Sequence, residues 1–196
     1  MQKSIGRLVQ NKTLLFQCDI QGIFKERIWN MPSVVTVARM MAQASPILNI
    51  PLLVTEQYTE RFGKTLPEIQ EVLPKDHTYF EKFIFSMITE DVKNFMKKHP
   101  ERKSVILYGI ETHACVFQTT LDLLEMGYDV HLLADGISSQ REGDRTVALR
   151  RLEQAGAFLT TAESAIFEIL RDSKSPDFKK VLPILKTDRS NQIPHL

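Results

Sequence analysis

The sequence predicts an α/β fold: a six-stranded parallel sheet between two layers of helices. Three observations carry this. Short runs rich in Val, Ile and Leu alternate with amphipathic helical stretches along the whole chain. Several of those runs are almost continuously apolar, the pattern of strands buried on both faces. The 196 residues, 43% of them hydrophobic, are enough for a sizeable core and predict one domain spanning 1–196.

In order, residues 13–18 read as the first strand, ending at Asp19 and the turn-prone Gly22. A helix over 32–48 opens on Pro32 and spaces Val34, Val37, Ala38, Met41 and Ala44 by three and four. Residues 51–55 form a second strand, and 56–76 a long connection, a wall or lid, with a helical piece over 67–73. A third strand covers 79–83. The helix over 88–98 has Thr89, Glu90 and Asp91 in its first turn, Lys97, Lys98 and His99 in its last, and Pro100 to stop it. The fourth strand is 105–108. After Gly109 a helix runs to about 126 and ends at Gly127. Residues 129–134 make a fifth strand closing in an Asp135-Gly136 turn, and 142–155 a helix stopped by Gly156. The sixth strand is 157–159. Thr160 to Glu163 offers a capping box for a helix to 170, and Ser175-Pro176 opens a last one to about 185. The tail from about 187 reads as loose.

Charge narrows the function. The 25 basic and 24 acidic residues are spread along the chain, leaving a net +1 with no basic stripe for nucleic acid or anionic membrane. A small-molecule substrate is expected. Cys18 and Cys115 form no disulfide framework, and no signal segment or bilayer-length apolar run is visible. The protein is read as cytoplasmic, with a peroxisome-type organelle or a mitochondrion as alternatives. The final Pro194-His195-Leu196 distantly resembles a Ser-Lys-Leu address.

In a parallel sheet, ligands bind beyond the carboxyl ends of the strands. Asp19, Lys82 and Cys115 all fall at or near such ends. Singly, an Asp there is a turn residue, a Lys a solvated charge and a Cys a small buried apolar group. Together at one edge they suggest a site. Cys115 sits in or just before the first turn of a helix, where unpaired N–H groups and the helix dipole favour a thiolate.

Phe16-Gln17-Cys18-Asp19-Ile20-Gln21, Glu81-Lys82-Phe83-Ile84-Phe85-Ser86 and Gly109-Ile110-Glu111-Thr112-His113-Ala114-Cys115-Val116 resemble, in order and spacing, the three signatures of the isochorismatase-like cysteine hydrolases. The resemblance covers roughly residues 10–170. With Gln118 and Thr119, the last signature is most similar to the eukaryotic isochorismatase domain-containing branch. The resemblance implies strand order 3-2-1-4-5-6, with strand 1 beside strand 4. It implies Cys115 as nucleophile, Asp19 as the base that later returns a proton, and Lys82 as the cation between them. It implies an oxyanion hole from the backbone N–H groups of Glu111 and Cys115, with a cis Ile110–Glu111 peptide, and a homo-oligomer.

Gln21, Phe24, Trp29, Tyr58, Phe85 and His113 are the expected substrate-binding residues, a mixture suited to a small planar or polar molecule. The metal-binding Asp-x-His pattern of related nicotinamidases is missing from Thr55-Glu56-Gln57-Tyr58-Thr59-Glu60-Arg61, and the five His residues show no ligand spacing. No metal or cofactor is expected. No Gly-x-Gly-x-x-Gly or Gly-Lys-Ser/Thr loop is present, and Leu121 stands where a thiolate phosphatase loop would want Arg. The trio suits hydrolysis of a small amide-like C–N bond through a thioester. The alternatives are isochorismatase-type vinyl ether hydrolysis, and a non-catalytic interaction protein on the same scaffold.

Overall fold

The computed structural model describes residues 4–187. Among them, six strands form one sheet: β1 (Thr13–Cys18), β2 (Leu52–Gln57), β3 (Thr78–Lys82), β4 (Ser104–Ile110), β5 (Asp129–Ser138) and β6 (Phe158–Thr160). Every pairing is parallel and the order is β3-β2-β1-β4-β5-β6. The helices between them are α1 (Met31–Ile47), α2 (Thr59–Phe62), α3 (Pro67–Gln70), α4 (Glu90–Lys97), α5 (Cys115–Glu125), α6 (Glu142–Ala155), α7 (Ala162–Leu170) and α8 (Phe178–Leu185). Helix α1 lies on one face with α7 and α8 against it, while α5 packs on β4, β5 and α6. No helix of the described residues is long and apolar enough to cross a membrane.

β1 and β4 are buried along their whole length, their runs apolar except for Thr13, Gln17 and Ser104. Leu14, Phe16 and Cys18 pair with Val105, Leu107 and Gly109 and share one face of the sheet. The Phe16 ring, 6.5 Å from that of Phe95 in α4, shows which layer this face meets. Gly109 is needed here. Its φ is +121°, and a Cβ would stand 2.1 Å from the Cys18 carbonyl oxygen, so only glycine fits beside the residue that precedes Asp19.

The Asp135-Gly136 turn is a correction: β5 runs straight through it to Ser138. The pairing with β4 jumps from Leu107↔Leu132 to Gly109↔Ile137, so β5 carries three extra residues there, an extended bulge in the longer strand. Side chains supply the partners that the ladder loses there. Ser33 Oγ donates to Asp135 O (2.6 Å), Arg145 Nε donates to Ile137 O (3.0 Å) and Arg145 Nη2 to Ala134 O. The Asp135 carboxylate accepts from Ala162 N at 3.0 and 3.2 Å, capping α7. Gly136 survives inside a strand because any Cβ there would press within 2.4 Å of Val37.

Smaller differences are local. β2 takes in Glu56 and Gln57, so the connection after it is shorter and carries two one-turn helices, α2 and α3. The α7 N-cap is Thr161, whose hydroxyl accepts from Ser164 N at 3.4 Å, one residue beyond the expected box. Pro194-His195-Leu196 lies outside the described residues.

Candidate active site

The carboxyl ends of β1, β3 and β4 bring three ionisable side chains to one place. β1 ends at Asp19, whose φ of 50° is a left-handed conformation that Asp tolerates better than most residues. Lys82, the last residue of β3, reaches across β2 and sets Nζ 2.7 Å from Asp19 Oδ2, both side chains being buried. Thr55 Oγ1 donates to Asp19 Oδ1 (2.8 Å), and the Cys18 thiol lies 3.5 Å from Oδ2. Lys82 Nζ also donates to Gln57 Oε1 (2.6 Å), Phe85 O (2.8 Å) and Ile84 O (3.1 Å). Burial draws the ammonium down, but the fields of Cys18, Asp19 and Cys115 outweigh it and hold Lys82 above its ordinary range.

Cys115 opens α5 as its first residue, after an Ala114 N-cap that offers no side-chain bond. Its carbonyl accepts from Thr119 Oγ1 (2.6 Å), which itself accepts from Met87 N (2.8 Å). This pins the first turn of α5 to the segment after Lys82. The Ile110–Glu111 peptide is cis. In the turn that follows, Thr112 N donates to Ser138 O, and Ala114 N and Val116 N to Glu111 O, at 2.9, 3.1 and 3.2 Å. The amides of Glu111 and Cys115 find no such acceptor among the described residues. Two unpaired N–H groups next to a thiol are an arrangement that can receive an oxyanion.

The two cysteines differ. Burial first, then Cys115 and Asp19, push the Cys18 thiol well up, while Cys115 lines a cavity. That cavity, about 400 Å³, is bounded by Asp19, Phe24, Gln57, Tyr58, Arg61, Phe62, Phe85, Ile110, Glu111, Ala114 and Cys115. Its walls are mostly apolar, with Asp19, Gln57, Arg61 and Glu111 as the polar side chains among them. Tyr58, the N-cap of α2, has φ 37° and is anchored by its N–H to Lys82 O (3.0 Å).

Of the expected substrate-binding residues, Phe24, Tyr58 and Phe85 line the cavity, whereas Gln21, Trp29 and His113 do not. Gln21 is fully buried. Its Nε2 donates to Gln57 O (2.8 Å) and Gly63 O (2.6 Å), and its Oε1 accepts from Gln57 N (2.7 Å), so it clips both ends of the α2 segment. Trp29 is bonded through its backbone to Ser139 and Ser138, and its ring faces the Arg145 guanidinium. His113 is exposed, with Nδ1 2.9 Å from Ser139 Oγ. Gln57, Arg61 and Phe62 were missed. The spacing of Gln57 from Lys82 across paired strands is the signal that could have found it, since Gln57 and Lys82 are register partners.

Comparison with known proteins gives a consistent result. Residues 13–164 match the Isochorismatase domain. Isochorismatase domain-containing protein 2 of Xenopus laevis is 43% identical over 183 residues, 93% of this chain and 88% of the relative. The secreted isochorismatase effector Isc1 of Phytophthora sojae is 42% identical over 187 residues, 94% of this chain and 89% of the relative. The structure of MAR1 ribonuclease from Caenorhabditis elegans is similar with a TM-score of 0.89 at 40% identity, covering 93% of each chain.

Proposed function

The chain belongs to the isochorismatase family, and on that premise we propose that this hydrolase is a cysteine enzyme that cleaves a small amide-like C–N bond. The observation that carries the reading is the cavity that Asp19 and Cys115 line together, with Lys82 bonded to Asp19 at 2.7 Å behind it. Cys115 attacks the carbonyl carbon, and its proton passes to Asp19. The oxyanion accepts from the amides of Glu111 and Cys115, each such donor lowering the barrier by about 3–4 kcal/mol. The C–N bond breaks as Asp19 returns the proton to the departing amine, leaving a thioester that water hydrolyses. Lys82 stabilises negative charge on Asp19 and Cys115 in turn. Phe24, Tyr58 and Phe85 form the substrate's walls.

The ribonuclease title of the nematode structure makes RNA a second substrate class to test. Cavity and charge favour a small molecule: the net charge is +1, and the buried cation at the cavity end is tied to Asp19. The exposed run Phe83, Ile84, Phe85 beside the cavity, 54–65% accessible, supports self-association. A monomer by light scattering at micromolar concentration contradicts that part.

The functional test is a screen of small amides, carbamates, isochorismate and a short RNA, following ammonia, pyruvate or fragment release. Turnover of an amide that falls with Cys115→Ala and with Asp19→Asn is expected. Turnover indifferent to Cys115→Ala contradicts the thiol mechanism, and pyruvate release alone replaces it with vinyl ether hydrolysis.

A further inference from the structure

The mechanism uses Asp19, Lys82 and Cys115 and leaves one cation of the cavity lining without a task. Arg61 stands in α2, its guanidinium carbon 5.5 Å from the centre of the Phe62 ring. Among the described residues, no carboxylate forms an ion pair with it. Glu60, its neighbour in α2, is exposed, and three other carboxylates of the region are engaged elsewhere. Glu81 Oε1 accepts from Thr59 N (2.7 Å) and from the Thr59 hydroxyl. Glu111, also on the cavity lining, turns both oxygens to Gln140, accepting from its N (2.9 Å) and Nε2 (3.2 Å). Asp19 is held by Lys82 and Thr55.

Besides Arg61 and Cys115, the cavity is lined by Phe24, Tyr58, Phe62, Phe85 and Ile110. These surfaces are flat or aliphatic, and Arg61 is itself exposed, so it acts on an anion chiefly through short-range, directed hydrogen bonds. A guanidinium held on an aromatic face presents a planar fork of donors, the geometry that a carboxylate matches with two parallel hydrogen bonds. We infer that the substrate is an amide whose far end carries a carboxylate, taken by Arg61, with a planar apolar middle between the aromatic walls. This rests on the reading of Cys115 as the nucleophile.

Two probes test it without knowledge of the natural substrate: N-phenyl chloroacetamide and its para-carboxylate. In each, the Cys115 sulfur forms a bond to the methylene carbon, chloride leaves, and the thiol proton passes to Asp19. Labelling is located by peptide mapping and each rate is divided by that of the same probe with glutathione. The wild type is expected to label Cys115 at least tenfold faster with the carboxylate probe. Arg61→Gln is expected to bring the two rates together, chiefly by slowing the carboxylate probe, and Arg61→Lys to keep part of the preference. Equal rates in the wild type, or a preference that survives Arg61→Gln in a protein of unchanged thermal midpoint, overturn this inference and leave Cys115 as nucleophile. Failure of both probes to label Cys115 overturns both.

Discussion

Lys82 and Arg102 are buried cations at opposite ends of the same strands, and they are held differently. Arg102, just before β4, gives Nη1 to Gln10 O (2.9 Å) and Thr13 O (2.7 Å) and Nη2 to Asn49 O (3.3 Å). Its acidic neighbour Glu101 stands 3.5 Å from Nε and is half exposed. Burial holds the Arg102 guanidinium below its ordinary range, and Glu101 does not make up the loss. At Lys82, burial pulls the same way and is overcome by two thiols and a carboxylate. Neutral carbonyls satisfy a cation's hydrogen bonds without neutralising it, which ties three backbone segments together. Ionisable partners beside a cavity couple the cation to proton movement. Burial of a charge therefore does not mark a site by itself; the kind of partner does.

Substitution at the two cations separates these roles most strongly. Lys82→Met is expected to lower kcat by at least about 10³-fold, because the charge on Asp19 and Cys115 is then uncompensated. Arg102→Met is expected to cost about 2 kcal/mol of stability by urea unfolding, since one buried and two part-buried carbonyls lose their donor, while kcat of the folded protein is unchanged. A catalytic loss at Arg102 in folded protein, or turnover retained in Lys82→Met, breaks the comparison.

The two thiols give the next largest contrast. Iodoacetamide at pH 7 should modify Cys115 about 100-fold or more faster than Cys18, which is fully buried and whose thiol is pushed up. Peptide maps over a time course decide it, and earlier labelling of Cys18 contradicts the assignment.

A smaller effect lies at the far edge of the sheet, away from both cations. His131 on β5 is buried and stacked on Phe158, 5.1 Å between ring centres, and burial depresses its proton affinity despite Glu168 and Asp129. The unfolded chain then binds the proton at a higher pH than the folded one. Stability is full above the ordinary His value near ~6.5 and falls as pH drops below it. The slope is at most about 1.4 kcal/mol per pH unit for one group. Urea midpoints at pH 7 and 5 should converge in His131→Leu relative to wild type; an equal acid loss in both proteins assigns it to other groups.

β1 and β4 were legible because runs buried on both faces are almost wholly apolar. β3, alternately exposed, and the short, half-buried β6 carry a weaker signal, and the strand order came from the family resemblance rather than from burial. Asp135-Gly136 misled because a turn dipeptide carries only local information. Ser33, Arg145 and the α7 amide, from three other elements, supply the partners that keep it in the strand. At the site, Asp19, Lys82 and Cys115 could be placed from their positions at strand ends. Gln21 and Trp29 could not be separated from true cavity residues, since their side-chain and backbone bonds to Gln57, Gly63 and Ser139 depend on where loops close. Arg61 was hidden for the same reason: a charged residue in a connection reads as solvated until its helix is set beside the cavity.

The comparison rests finally on Cys115 as the atom that bonds to substrate, and intact-protein mass spectrometry tests that most directly. Mixed with an amide or activated ester that the enzyme turns over and quenched in acid within one turnover, the protein should gain the mass of the acyl group. The peptide carrying Cys115 should hold it, hydroxylamine should remove it, and Cys115→Ala should show none. Turnover with no acyl mass at any time point, or an adduct on another residue, would contradict the account.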